Sequence, residues 1–160
     1  MVGEGGIQAF WWGGVVVEHW VIRGAELKDH ADIFKIAKVS PYTKDFGNQV
    51  MFSSVMAYAK GWIRVIVVSG IIVGFTCIRV KIRKPRTKLY FLGVAPNHRR
   101  QGIGKMLVHD LWKTIPITHA SIELSCALAN EAAKQLYLAL GFTVEAVDER
   151  YFYMVGAAPV

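Results

Sequence analysis

Between Leu89 and Gly104 the chain carries the residue types of an anion site, in the order such a site needs. An apolar run ending at Val94 leads through Pro96 to Arg99, Arg100, Gln101, Gly102, Gly104 and Lys105. Ile103, Leu107 and Leu111 then recur at helical spacing. The first N–H groups of a helix have no intrahelical partner, and the helix dipole places partial positive charge beside them. Glycines at 102 and 104 present no Cβ to a ligand approaching the backbone. The guanidinium groups of Arg99 and Arg100 offer charge-assisted hydrogen bonds to phosphate oxygens. The expected chemistry is the cradling of a pyrophosphate at a helix start.

Two familiar phosphate motifs fail on this stretch. The P-loop pattern breaks because Gly104 and Lys105 are followed by Met106, and the position five before Gly104 is Arg99. The dinucleotide fingerprint needs a small residue where Leu107 stands. What remains is R-x-x-G-x-G (Arg99, Gly102, Gly104), preceded by Val94 and Pro96. One predicted strand later comes N-x-x-A-x-x-L-Y-x-x-x-G-F, made by Asn130, Ala133, Leu136, Tyr137, Gly141 and Phe142. Alone, this second pattern reads as an Asn-capped amphipathic helix ended by a glycine.

Together, in this order and spacing over Tyr90 to Phe142, the two stretches resemble the GNAT superfamily of acyl-CoA-dependent N-acetyltransferases. The resemblance implies an α/β (mixed α+β) single-domain GNAT-like fold: a central mixed, mostly antiparallel sheet of about seven strands flanked by about four helices. It implies acetyl-CoA as cosubstrate and attack by the primary amine of an acceptor in a ternary complex. Arg99, Arg100, Gln101, Gly102, Gly104 and Lys105 would surround the CoA pyrophosphate. The strand holding Leu92 and Val94 would pair with the pantetheine amides, and the N–H near Val94 would polarise the acetyl carbonyl. Asn130 would contact the cofactor side of the cleft or hold an ordered water, and Tyr137 would protonate the departing thiolate.

The base that keeps the amine neutral has no carboxylate on the strand from Lys88 to Val94. Glu123, on the neighbouring strand, is the candidate; a rim carboxylate is the equal alternative, and Ser125, His119 or a water chain are further options. Tyr42 and Phe46, joined by Tyr151 or Tyr153, are expected to line the acceptor site, against the plainer reading of aromatic packing. The acceptor is expected to be an amine-bearing small molecule or peptide, and a second copy of the chain is a candidate partner. A CoA-binding regulatory module without turnover is the competing reading from a different class.

The elements that must position these residues follow from periodicity and punctuation. Residues 1–14, rich in Gly and Trp, are expected to form an N-terminal extension to a single N-acetyltransferase domain over 15–160. A strand is expected over 15–23, helices over 25–38 and 48–60, and strands over 62–68 and 71–80. After the glycine loop come a helix over 102–113, a strand over 120–126, the Asn130 helix, and a hairpin of 142–146 with 151–155. The greasy region from Ile63 to Val80 is broken by Ser69 and Gly70 and carries Arg64 and Arg79, so it predicts a hairpin and no membrane span.

Composition fits this picture. The 160 residues are 53% hydrophobic and 19% charged, which suits one globular domain and excludes a disordered chain. The net charge of +7 is concentrated in Arg79, Lys81, Arg83, Lys84, Arg86 and Lys88. A nucleic-acid patch is one reading of this run; a solvated loop is favoured, since no aromatic interleaves with it. The five histidines lack metal-ligand spacing, so no metal is expected. Cys77 and Cys126 lack C-x-x-C spacing and are expected to be buried free thiols in a reducing, cytoplasmic setting; the start of the chain shows no signal-peptide pattern.

Overall fold

The computed structural model describes residues 10–12, 15–17, 19–40, 62–81 and 83–158. Strands β1 (Phe10–Trp12) and β2 (Val15–Val17) form a two-stranded antiparallel ribbon. The main sheet contains β3 (Trp20–Gly24), β4 (Ile63–Val68), β5 (Ile71–Val80), β6 (Arg86–Val94), β7 (Ser121–Ala127), β8 (Thr143–Val147) and β9 (Tyr151–Ala157). Its seven strands lie in the order β3-β4-β5-β6-β7-β9-β8. Only the β6–β7 pair is parallel, as a strand–helix–strand crossover requires; every other neighbour is antiparallel.

Three helices lie among the described residues: α1 (His30–Val39), α2 (Ile103–Thr114) and α3 (Glu131–Ala139). The helix expected over 48–60 lies outside the described residues, as do Tyr42 and Phe46. Helix α1 covers one face of the sheet, where Ile33, Ile36 and Ala37 pack with Ile63, Val65, Phe75 and Cys77. Helices α2 and α3 cover the other, with Val108, Leu111 and Tyr137 against Ile78, Leu89, Ile122, Leu124 and Met154. Each fully buried Leu or Ile contributes about 1.5–3 kcal/mol from area removed from water, so these helices are anchored mainly by their apolar faces. A bidentate ion pair adds direction: Arg64 of β4 donates to both carboxylate oxygens of Asp110 on α2, at 2.8 and 2.9 Å.

The greasy region is the expected hairpin of β4 and β5. Ser69 and Gly70 both adopt positive φ (48° and 79°), the pattern of a two-residue hairpin turn. No helix among the described residues is long and apolar enough to cross a membrane.

Three boundaries differ from expectation. The strand over 15–23 is two strands, because β2 folds back on β1 while β3 joins β4. Helix α1 begins five residues late, after a 3-10 turn at Leu27–Asp29. There the buried Asp29 carboxylate accepts from Arg23 at 2.6 Å and from the Glu26 N–H at 2.7 Å, which fixes the turn. Strand β6 begins at Arg86 rather than Leu89, since Thr87 and Lys88 pair with Val80 and Arg79.

Candidate active site

The site begins where β6 and β7 part. Their parallel pairing runs only from Arg86–Ser121 to Leu89–Leu124. Beyond it, β6 continues to Val94 beside β5 alone, and β7 continues to Ala127 beside β9 alone. The β5–β6 register shifts at Cys77/Ile78 and leaves Tyr90 as the extra residue on β6, a bulge that bends a strand away from its neighbour. A cleft of about 890 Å³ opens between Tyr90–Val94 on one wall and Ser125–Ala127 on the other.

Backbone direction gives this cleft its character. The Ala95 N–H donates to Val73 on β5 at 2.8 Å. Alternation along the strand therefore aims the N–H groups of Leu92 and Val94 away from β5, towards the space β7 has left. The Val94 carbonyl faces the same way and accepts from Arg99 Nε at 3.1 Å. An extended ligand carrying amides can add itself there as a short strand, and one N–H is left to stabilise an oxyanion.

The anion end of the cleft is the loop before α2. Gly102, at φ 82°, is the helix N-cap, and no side chain caps it. The first bond closing the helix is from the Met106 N–H to Gly102, at 3.0 Å. The N–H groups of Ile103, Gly104 and Lys105 thus have no helical acceptor. The exposed Arg99, Arg100 and Lys105 surround them and line the cleft. Gly102 is needed for its conformation, since a Cβ there would meet nothing within 4 Å. Gly104 is small for a reason the sequence did not reveal: a Cβ would stand 3.0 Å from Leu136 Cδ2, so it admits α3 rather than a ligand. The Gln101 side chain stays out of the cleft wall, with its amide oxygen buried and unpartnered.

Helix α3 supplies the far wall. Asn130 is its N-cap, accepting from the Ala133 N–H at 3.2 Å, and it lines the cleft. Seven residues on, Tyr137 is 7% exposed, lines the same cleft and packs its ring on Phe142 with centroids 5.5 Å apart. Burial first, and the nearby Cys126 thiol second, push its phenol above its ordinary value, so it holds its proton across the working pH range.

Glu123 stands apart from the other candidates. It lies on the paired half of β7, outside the cleft wall, and its carboxylate accepts from Lys81 with Arg86 3.7 Å away. Burial alone would raise its pKa; the Lys81 hydrogen bond and the charges of Lys81, Arg86 and Lys88 outweigh it and hold the carboxyl below its ordinary value. A carboxylate so occupied is less available as a base than one facing the cleft. His119 is buried against Thr87 Oγ1 at 2.9 Å, also outside the cleft. Ser125 does line it. Ile36 and Ala37 of α1, and Ser40 just after it, reach the cleft as well, as does Tyr151 of β9; amphipathicity marks Ile36 and Ala37 as apolar-facing and gives no sign that they border a cavity.

Comparison with known proteins decides the family. Residues 28–142 match the acetyltransferase (GNAT) family. The chain is a GNAT N-acetyltransferase. It is similar to the 5-NmdU N-acetyltransferase of Pseudomonas phage PaMx11, with 48% identity over 124 residues that cover 78% of this chain and 87% of that one. Among solved structures, Ard1 from Thermoplasma volcanium superposes with a TM-score of 0.76 over 88% of this chain and 99% of its own, at 19% identity. The PaiA N-acetyltransferase from Thermoplasma acidophilum, in complex with coenzyme A, superposes with a TM-score of 0.73 over 86% and 98%, at 16% identity. The seven-stranded sheet and the two flanking helix layers of this N-acetyltransferase are thus the family fold.

Proposed function

We propose that this N-acetyltransferase moves an acetyl group from acetyl-CoA to a nucleotide-derived primary amine, by direct attack in a ternary complex. One observation carries the reading: an unpaired strand edge, an uncapped helix start among three cations, and a buried tyrosine share a single cleft. The residues fit acetyl-CoA. The N–H groups of Ile103, Gly104 and Lys105, with Arg99, Arg100 and Lys105 side chains, suit a pyrophosphate, and Leu92 and Val94 suit the amides of the pantetheine arm. When bound, acetyl-CoA supplies an activated thioester.

This chain's own residues then do three things. The β6 edge orients the acetyl carbonyl, and the Val94 N–H stabilises negative charge on its oxygen, worth on the order of 10²-fold. Tyr137 donates its proton to the leaving sulfur. Its raised pKa does not oppose this, since a thiolate forming in the same apolar pocket is raised by the same burial. Asn130 holds the start of α3, which fixes where Tyr137 stands. With Glu123 engaged elsewhere, the proton of the attacking amine leaves through water past Ser125. The acceptor enters from the α1 face, between Ser40 and Tyr151.

The acceptor class rests on the phage relative, whose name gives 5-NmdU, and narrows the amine-bearing small molecule or peptide expected from sequence to a nucleotide-derived amine. The catalytic unit is the single domain over 15–160, with 1–14 as an extension. The buried free thiols Cys77 and Cys126 accord with a reducing, cytoplasmic setting. The test is free-thiol release from acetyl-CoA on adding a nucleotide-derived primary amine, with mass spectrometry of the amine. Release together with one added acetyl is expected; no release above cofactor hydrolysis overturns the reading.

A further inference from the structure

Read along the chain, the basic run from Arg79 to Lys88 contains no aromatic residue. Read across the sheet, it has a different setting. Arg79 pairs with Lys88, and Lys88 with Glu123. Arg79 shares a face with Cys77, two residues away, and Cys77 packs against the α1 side. Glu123 contacts Lys81 and Arg86, so these side chains lie on that face too. The α1 side of the sheet therefore carries two successive cationic rows, Arg79–Lys88 and then Lys81–Arg86, below the mouth of the cleft. Lys81 and Arg86 are tied by Glu123 and Glu145, whereas Lys88 leans over the exposed Tyr90 ring, 5.3 Å from its centroid. Tyr90 is the bulge residue that lines the cleft, and Tyr153 lies two strands away opposite Ser125.

We infer that this face is a phosphate-binding track, holding a nucleic-acid strand whose amine-bearing nucleotide enters the cleft past Tyr90. The inference rests on the nucleotide-derived acceptor of the proposed function and extends it from a nucleotide to a strand. Length argues for the strand. From Tyr90 to Arg86 the track runs ~13 Å at about 3.3 Å per strand residue. That is longer than one phosphodiester step, so consecutive phosphates of a strand reach both rows, and a lone nucleotide reaches only the first. Charge argues the same way, because rows of Lys and Arg beside an aromatic ring give electrostatic tracking together with a stacking platform for a base. Lys81 and Arg86 keep Glu123 and Glu145 as partners, so Arg79 and Lys88 of the first row carry most of the attraction for phosphate.

The test compares one primary amine in two forms, as a free nucleoside and within an oligonucleotide, for the wild type and Arg79→Glu/Lys88→Glu. The double variant is expected to raise KM for the oligonucleotide about tenfold more than KM for the nucleoside. It should also flatten the salt dependence of oligonucleotide binding by about two phosphate contacts. Binding of a labelled oligonucleotide, read by anisotropy, measures the track without requiring turnover. Stabilisation by acetyl-CoA confirms that the variant is folded, and Arg79→Gln/Lys88→Gln replaces it if it is not. Equal effects on both acceptors, or oligonucleotide binding with unchanged salt dependence, overturn the track. Failure to acetylate either form, with oligonucleotide binding lost in the variant, overturns the proposed acceptor and leaves the track standing.

Discussion

Strands β6 and β7 run side by side for four residues and then separate, and the two halves of the pair have opposite physical characters. In the paired half, Thr87, Leu89, Ile122 and Leu124 are buried, and Glu123 is locked by Lys81 and Arg86. In the splayed half, Leu92, Val94, Ser125 and Ala127 border open space, and backbone N–H groups aim into it. The same two strands thus serve as hinge pin and as jaws. One extra residue, Tyr90, marks the change, helped by the turn in which the Asn130 N–H donates to Ala127 at 2.9 Å. Unsatisfied backbone groups are costly when buried, so a fold keeps such an edge open only where a ligand or water satisfies it. The zipped half fixes the angle at which the jaws stand.

Substitutions sharpen this contrast in order of expected size. Tyr137→Phe, on the helix that faces the splayed half, should lower kcat by about 10²-fold, with acetyl-CoA affinity nearly unchanged, in steady-state thiol-release kinetics. Because burial pushes the Tyr137 phenol up, its ionisation should not appear as an alkaline limb of the wild-type pH–kcat profile. Arg99→Ala with Arg100→Ala should raise the Kd for acetyl-CoA about tenfold in a calorimetric titration, as expected for lost charge-assisted contacts to an exposed phosphate. Glu123→Gln, in the paired half, should change kcat less than twofold. A loss comparable to that of Tyr137→Phe would mark Glu123 as the base and break the contrast. Its effect belongs to stability instead. The folded-state pKa of Glu123 is depressed, so its contribution is present above the ordinary value of 4.5 and is lost as pH falls through the lower folded value. The variant's Tm should therefore fall towards neutral pH by an amount matching about 1 kcal/mol or less, and converge on the wild type in acid.

What the sequence made legible was local. The glycine loop, the α2 stripe of Ile103, Leu107 and Leu111, the Asn130 cap and the Tyr137 position are all set by residues within a few places of one another. The hairpin at Ser69 and Gly70 follows the same logic. The features that were not legible join distant residues. Glu123 meets Lys81 from 42 positions away, and no periodicity announces that pairing. The Tyr90 bulge depends on how β6 registers with β5, and Gly104 is explained only by Leu136 on another helix. The division of the predicted 15–23 strand likewise follows from which neighbour each half finds. A basic run that looks like a plain loop becomes a face only when the sheet sets its rows side by side.

The contrast between the two halves is tested most directly by amide hydrogen exchange with and without acetyl-CoA. Added acetyl-CoA is expected to slow exchange at Leu92, Val94, Ile103, Gly104 and Lys105, while the already paired amides of Thr87, Leu89, Ile122 and Leu124 do not change. Protection that is absent from the first group, or that appears equally in the second, would contradict the contrast.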